Sequence, residues 1–117
     1  MSKIINCYPQ TLTKEQKYLL TKNPEVINMK DCDGQVIEIE AWAVYKDADF
    51  KTGEEREVMS ILTKDGETVS TISSTFKREF MDLVDIYADE GEDLKKVKVF
   101  TGTSKNGRKF VSCTMAR

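Results

Sequence analysis

The sequence predicts a small, mostly β domain in which five strands close into a barrel, with one helix between the third and fourth strands and a short helical extension in front. Three observations carry this expectation. Several stretches alternate apolar and polar side chains with the period of two that a half-buried strand requires. Two Gly-containing turns, Asp65-Gly66 and Asn106-Gly107, separate such stretches. One segment, residues 74–89, changes instead to helical spacing. With 117 residues the chain can bury one core but not two.

In chain order, the first element is a helix beginning near Thr13, where Gln16 three residues on completes a capping-box pattern, and Asn23-Pro24 stops it. Residues 1–33 are read as this N-terminal extension and residues 34–117 as the barrel domain. The first strand is VIEIEAWAVYK (36–46), which places Ile37, Ile39, Ala41 and Ala43 on one face and Glu38, Glu40, Trp42 and Val44 on the other. The alanines suit the tight interior of a small barrel.

REVMSILTKDGETVSTI (56–72) reads as the second and third strands joined by a two-residue type I′ turn at Asp65-Gly66, with Lys64 opposite Glu67. Both faces of this pair are apolar: Val58, Leu62 and Val69 on one side, Met59, Ile61 and Ile72 on the other. One face is core, and the other is left for a ligand or a second copy.

The helix follows. Phe76, Phe80, Leu83, Val84 and Tyr87 form its apolar stripe, and Ser73 or Ser74 is placed to cap it.

Leu94 to Met115 supplies the fourth and fifth strands, and here the parity of the loop decides which side chains meet. A two-residue loop would bury Phe110. A three-residue loop, Lys105-Asn106-Gly107 with Gly107 at positive φ, sets Phe110 opposite Gly102 and beside Phe100, Lys98 and Arg108. The odd loop is expected, because it gathers Val97, Val99, Val111, Cys113 and Met115 into one interior face. Three strands, a helix and two strands is the element order of the OB-fold, whose ligands cross strands two and three and the loops one-two and four-five.

Composition narrows the chemistry. The chain has no histidine, which removes Ser-His-Asp and Cys-His pairs and the usual imidazole metal ligand. Neither GxxxxGK[ST] nor GxGxxG occurs. Cys7, Cys32 and Cys113 have no CxxC spacing, as expected of reduced thiols in a reducing compartment. No enzyme activity, metal or cofactor is expected. Apolar runs are short and the start has no signal-peptide core, so a cytoplasmic protein without membrane contact is expected.

Net charge is −2, yet it is segregated along the chain. Residues 1–30 carry +3, residues 31–93 carry −12 and residues 94–117 carry +7. Clustered solvated charges are one reading of this pattern. A cationic face that binds a polyanion in one orientation is the other.

The segments VYK, VMSILTKDGETVSTIS, DLVDI, KVKV, GTS and NGRKF, in this order between Gly34 and Met115, resemble the small single-stranded DNA-binding proteins of Bacillus phages that replicate by protein priming. The resemblance implies an OB-like, sequence-tolerant coat for single strands displaced during replication. The implied partner is single-stranded DNA, with RNA left open, and self-association on DNA as a homodimer or cooperative array and contacts to replication proteins are further expectations.

A sequence-tolerant coat needs cations along the phosphates and flat side chains for the bases. Lys46, Lys51, Arg56, Lys98, Lys105, Arg108 and Lys109 are the phosphate candidates, and Trp42, Tyr45, Phe50, Phe100 and Phe110 the stacking candidates. Each aromatic has a core alternative. A reading from another class is a protein-interaction OB module that docks a cationic partner on its acidic surface, Asp82 to Asp93.

Overall fold

One long strand, β3 (Val36–Ala48), is shared by the two halves of a curled sheet. The computed structural model that shows this describes residues 3–48 and 52–116. Among these it has β1 (Lys3–Tyr8), α1 (Lys14–Thr21), β2 (Ile27–Asn28), a 3-10 turn over Met29–Cys32, β3, β4 (Glu55–Thr63), β5 (Thr68–Thr71), α2 (Ser74–Asp89), β6 (Lys96–Thr103) and β7 (Lys109–Met115). The strands run in the order β2-β5-β4-β3-β6-β7, and β1 also pairs with β3. The result is an OB-like, mostly β fold with two α-helices. It has seven strands where five were expected, and the segment ahead of β3 adds two of them: β1 lies antiparallel to β3 and β2 parallel to β5.

The register of β3 explains how both faces of the sheet are buried. Val36 to Glu38 pair with β6, and from Ile39 onward the partner is β4. The β3–β4 register shifts between Ile39 and Ala41, so the strand changes face there. Ile37 and Ile39 before the bulge, and Trp42 and Val44 after it, share the main core with Met59, Ile61, Val69, Val97, Val99, Val111 and Cys113. Ala41 and Ala43 go to the opposite side, into a second cluster with Leu12, Leu20 and Leu62. This corrects the expectation that the alanines line the barrel with Ile37 and Ile39. Their small side chains instead let α1 lie close against the outer face, beside Ile4 and Cys7 of the neighbouring strand β1.

α1 starts as read. The Thr13 Oγ1 accepts from the Gln16 N–H (3.1 Å) and the Gln16 Oε1 accepts from the Thr13 N–H (3.0 Å). Its far end is held by a buried hydroxyl: Thr68 Oγ1 on β5 donates to the Leu19 carbonyl (2.8 Å) and accepts from Asn23 Nδ2 (3.0 Å). One of the carbonyls that a helix end leaves without an intrahelical partner is thereby satisfied from the sheet.

Both main hairpins use the same turn. In each, an N–H closes back three residues, Gly66 to the Thr63 carbonyl (3.0 Å) and Gly107 to the Ser104 carbonyl (2.9 Å). The glycines have φ of 87° and 78°, while among the described residues no other residue type has positive φ. A type I′ turn needs positive φ at both central positions, so Asp65-Gly66 is not one. The loop is Lys64-Asp65-Gly66, and Ile61 pairs with Val69 and Leu62 with Thr68. Val69 therefore belongs with Met59 and Ile61 inside, and Ile72 falls with Val58 and Leu62 outside.

The second hairpin has the expected odd loop, with Phe110 opposite Gly102 and Phe100 opposite Ser112. Val97, Val99, Val111 and Cys113 are buried, but Met115 is 47% exposed and is not part of the interior face.

α2 is capped by Ser73, not Ser74. The Ser73 Oγ accepts from the Phe76 N–H (3.2 Å) and donates to the Val111 carbonyl (3.1 Å), tying the helix start to β7. Phe76 and Phe80 are fully buried, and Phe80 meets Trp42 edge to face at 5.5 Å.

Because Leu20 is 1% exposed against the second cluster, Leu20→Ala is expected to destabilise the whole domain by about 2–5 kcal/mol in urea unfolding, still in a single transition. A helix that merely decorated the barrel would unfold separately, and the main transition would not move.

Candidate nucleic-acid interface

The outer face of β4 and β5 carries Val58, Ser60 and Leu62 beside Thr68, Ser70 and Ile72. α1 covers the end holding Leu62 and Thr68. The other end stays open as a cleft of about 450 Å³, floored by Tyr45, Val58, Ser70 and Ile72 and walled by the segment from Leu19 to Asn28. Asp47 and Arg56, which face each other across β3 and β4, stand at its rim. The floor is sparing in free polar groups: the Ser60 and Ser70 hydroxyls bond each other at 2.6 Å. Burial raises the Tyr45 phenol above its usual pKa, while its hydrogen bond with Ser60 acts in the opposite direction.

A second cleft, of about 750 Å³, opens between the 3-10 turn and the β6–β7 hairpin. β5 and β7 are not paired with each other, so the sheet leaves a mouth here, spanned at its inner end by the Ser73 bond to Val111. Lys30 and Lys109 bring positive charge and Asp31 negative, Phe110 an aromatic ring, and Thr71, Thr75, Thr101 and Thr103 hydroxyls. Asn28 and Thr71 line both clefts. The two clefts therefore adjoin, one at the β3–β4 end of the sheet and the other beside the paired strands of the β6–β7 hairpin.

On the paired strands of that hairpin Phe100 and Phe110 pack edge to face, 6.3 Å apart at 86°. Alternation sets Lys98 on the same side, and the exposed Lys105 and Arg108 lie in and beside the turn. The backbone of β6 is held laterally, because the Asp33 Oδ1 accepts from the Thr101 N–H at 2.7 Å.

The twelve residues singled out in the sequence thus separate. Lys109 and Phe110 line the second cleft, Lys98 and Phe100 share the outer side of the hairpin with Phe110, Lys105 and Arg108 lie in and beside its turn, and Tyr45 and Arg56 meet at the first cleft. Lys46 is exposed on β3 between Lys3 of β1 and Glu57 of β4. Trp42 is a correction: it is 4% exposed beneath Phe80, because the bulge before it turns the side chain inward. Phe50 and Lys51 lie outside the described residues.

Lys30, Asn28 and Thr71 were not anticipated. Lys30 was visible only as part of the basic first thirty residues, and the other two have ordinary roles as well, Asn28 capping the 3-10 turn through a bond from the Lys30 N–H (3.2 Å). None of the acidic residues from Asp82 to Asp93 lines either cleft. One of them is engaged elsewhere: Asp93 accepts from the Tyr8 hydroxyl at 2.9 Å, a bond that raises the tyrosine's pKa. The cysteines are quiet, with the Cys113 thiol pushed up to about 12 by burial and that of Cys32 raised for the same reason.

Residues 10–116 match the model of a family described as Phage Single-stranded DNA-binding protein. The chain is 33% identical over 105 residues to the "Single-stranded DNA-binding protein" of Bacillus phage B103, covering 87% of this chain and 86% of that protein. It is 36% identical over 86 residues to the proteins of the same description from Bacillus phages phi29 and PZA, covering 72% of this chain and 69% of each. No solved structure matches the chain. Among the described residues no helix is long and apolar enough to cross a membrane.

With Trp42 in the core, its fluorescence is expected to be blue-shifted and poorly quenched by iodide, and to change little when an oligonucleotide binds. Trp42→Ala is expected to cost about 3–5 kcal/mol of stability, the cost of emptying a large buried aromatic site. Iodide-accessible emission, or strong quenching by bound bases, would return Trp42 to the surface.

Proposed function

We propose that this chain, which belongs to the phage single-stranded DNA-binding protein family, binds single-stranded DNA along the track made by its two adjoining clefts and so coats displaced strands during phage DNA replication. The observation that supports this placement is the sharing of Asn28 and Thr71 between the clefts, with Arg56 at the rim of the first and Lys30 and Lys109 beside the Phe110 ring at the second.

A protein that coats without reading sequence needs a backbone track and π-faces, since every base offers a π-face and stacking is worth about 1–3 kcal/mol per base. Lys30, Arg56, Arg108 and Lys109 are assigned to phosphates. Phe100 and Phe110 are assigned to bases, and Tyr45 supplies the floor beneath them at the far end. Taking β3 to β7 with α2 as an OB barrel, the track crosses its second and third strands toward the turn between its fourth and fifth, where OB proteins hold oligonucleotides. The acidic loop and α2 surface lie off the track, and their charge repels a polyanion that approaches from that side. Such a coat acts inside the infected bacterial host.

The test is a titration of fluorescent oligo(dT) of about thirty nucleotides over a range of salt. Four phosphate contacts at about 0.7 each give an expected log–log slope near −3, and the double variant Arg56→Gln, Lys109→Gln should flatten it by about 1.4. A slope near zero, or one that the double variant leaves unchanged, would refute the assignment.

A further inference from the structure

We propose that Gly102 is a positioning residue for single-strand binding: the side chain it lacks is what allows the ring of Phe110 to lie across the hairpin and present itself at the second cleft. This rests on the reading of that cleft as the DNA track. Gly102 lines that cleft as well, but has no side chain with which to hold a base or a phosphate.

A Cβ built on Gly102 would stand 2.6 Å from Phe110 Cζ and 2.9 Å from Cε1, closer than real side-chain carbons approach. The two residues face each other directly across β6 and β7. Gly102 has no need of glycine for its own backbone, since it is not among the positive-φ glycines. A glycine inside a strand weakens it, so its presence in β6 calls for a reason of space. The ring of Phe110 occupies that space, and Phe100 fixes its tilt by the edge-to-face contact. On the other side of β6 the Asp33 bond to the Thr101 N–H holds the neighbouring peptide, so the backbone cannot slide away from the ring.

Any side chain at position 102 must therefore displace the tip of Phe110. The ring is only partly buried, so it can swing toward solvent without breaking the hairpin. Affinity should suffer more than stability.

A second reading is purely structural: an aromatic ring laid over a strand glycine shields the backbone and stabilises the sheet. The two readings differ in what Phe110 does for DNA. A double-mutant cycle on the full chain with oligo(dT) separates them, using Gly102→Ala, Phe110→Ala and both together, with thermal melting of each.

Phe110→Ala is expected to weaken binding by about 5- to 150-fold, the range of one lost stack. Gly102→Ala should weaken it to within a few-fold of the same value while remaining folded at the assay temperature. In the Phe110→Ala background, Gly102→Ala should change affinity by less than about twofold, because the ring it acts through is gone. If Gly102→Ala binds like the parent while Phe110→Ala is weak, the positioning role is wrong and the DNA track stands. If Gly102→Ala lowers affinity equally with and without the Phe110 ring, or if it unfolds the protein, its role is structural and the proposal falls. If Phe110→Ala itself binds like the parent, the track is misplaced at this end, and the role of Gly102 falls with it.

Discussion

The bulge in β3 between Ile39 and Ala41 is the constraint from which the rest of the arrangement follows. A strand with unbroken alternation buries one face, and β3 would then have sent Ile37, Ile39, Ala41 and Ala43 together into one core. The extra residue lets the strand change sides midway. Large side chains, Ile37, Ile39, Trp42 and Val44, go to the barrel interior along its whole length, and the two alanines face outward where another layer must approach. The segment ahead of β3 is that layer. α1 packs on the outer face where the sheet offers the two alanines and leaves the other end uncovered, while β1 joins the sheet alongside β3.

The uncovered end becomes the first cleft, and a hydroxyl stands at the edge of each of the two clefts. Thr68 clamps the carboxyl end of α1 to β5, which sets how far the helix reaches over the sheet. Ser73 caps α2 and holds β7 through Val111, which sets the width of the mouth left where β5 and β7 do not pair. Each hydroxyl donates one hydrogen bond and accepts another, so each joins two elements without leaving a polar atom unsatisfied. The track is therefore a consequence of incomplete coverage and incomplete closure. Among the residues that line the clefts the cations are Lys30, Arg56 and Lys109, with Asp31 and Asp47 beside them.

Much of this was legible wherever a local rule acts alone. The Thr13 and Gln16 capping box, the apolar stripe of α2, and the odd loop of the second hairpin with Phe110 opposite Gly102 all follow from spacing within a few residues. Two features were not legible. The bulge is one: nothing in IEIEAWA marks Glu40 as extra, since the choice depends on which neighbours arrive on each side. The first hairpin is the other. In both Asp65-Gly66 and Asn106-Gly107 only the glycine takes positive φ, although Asp and Asn can do so too, so the dipeptide alone leaves loop length open. The flanking pattern decides it at Phe110, where one face is polar. It fails between β4 and β5, where both faces are apolar because both are buried. β2, only two residues long, carries no period to read. The hairpin half of the candidate site was accessible from sequence for the same reason that its register was, whereas Lys30, Asn28 and Thr71 reach the track only through the fold.

The central claim is that single-stranded DNA follows one continuous path over both clefts, and amide chemical-shift mapping of the labelled protein with oligo(dT) tests it most directly. Perturbations are expected at Tyr45, Asn28 and Thr71 and on through Lys109 and Phe110, as one connected band, with α2 from Asp82 to Asp89 unmoved. Shifts confined to the acidic α2 face, or to the hairpin with Asn28 and Thr71 silent, would contradict the path.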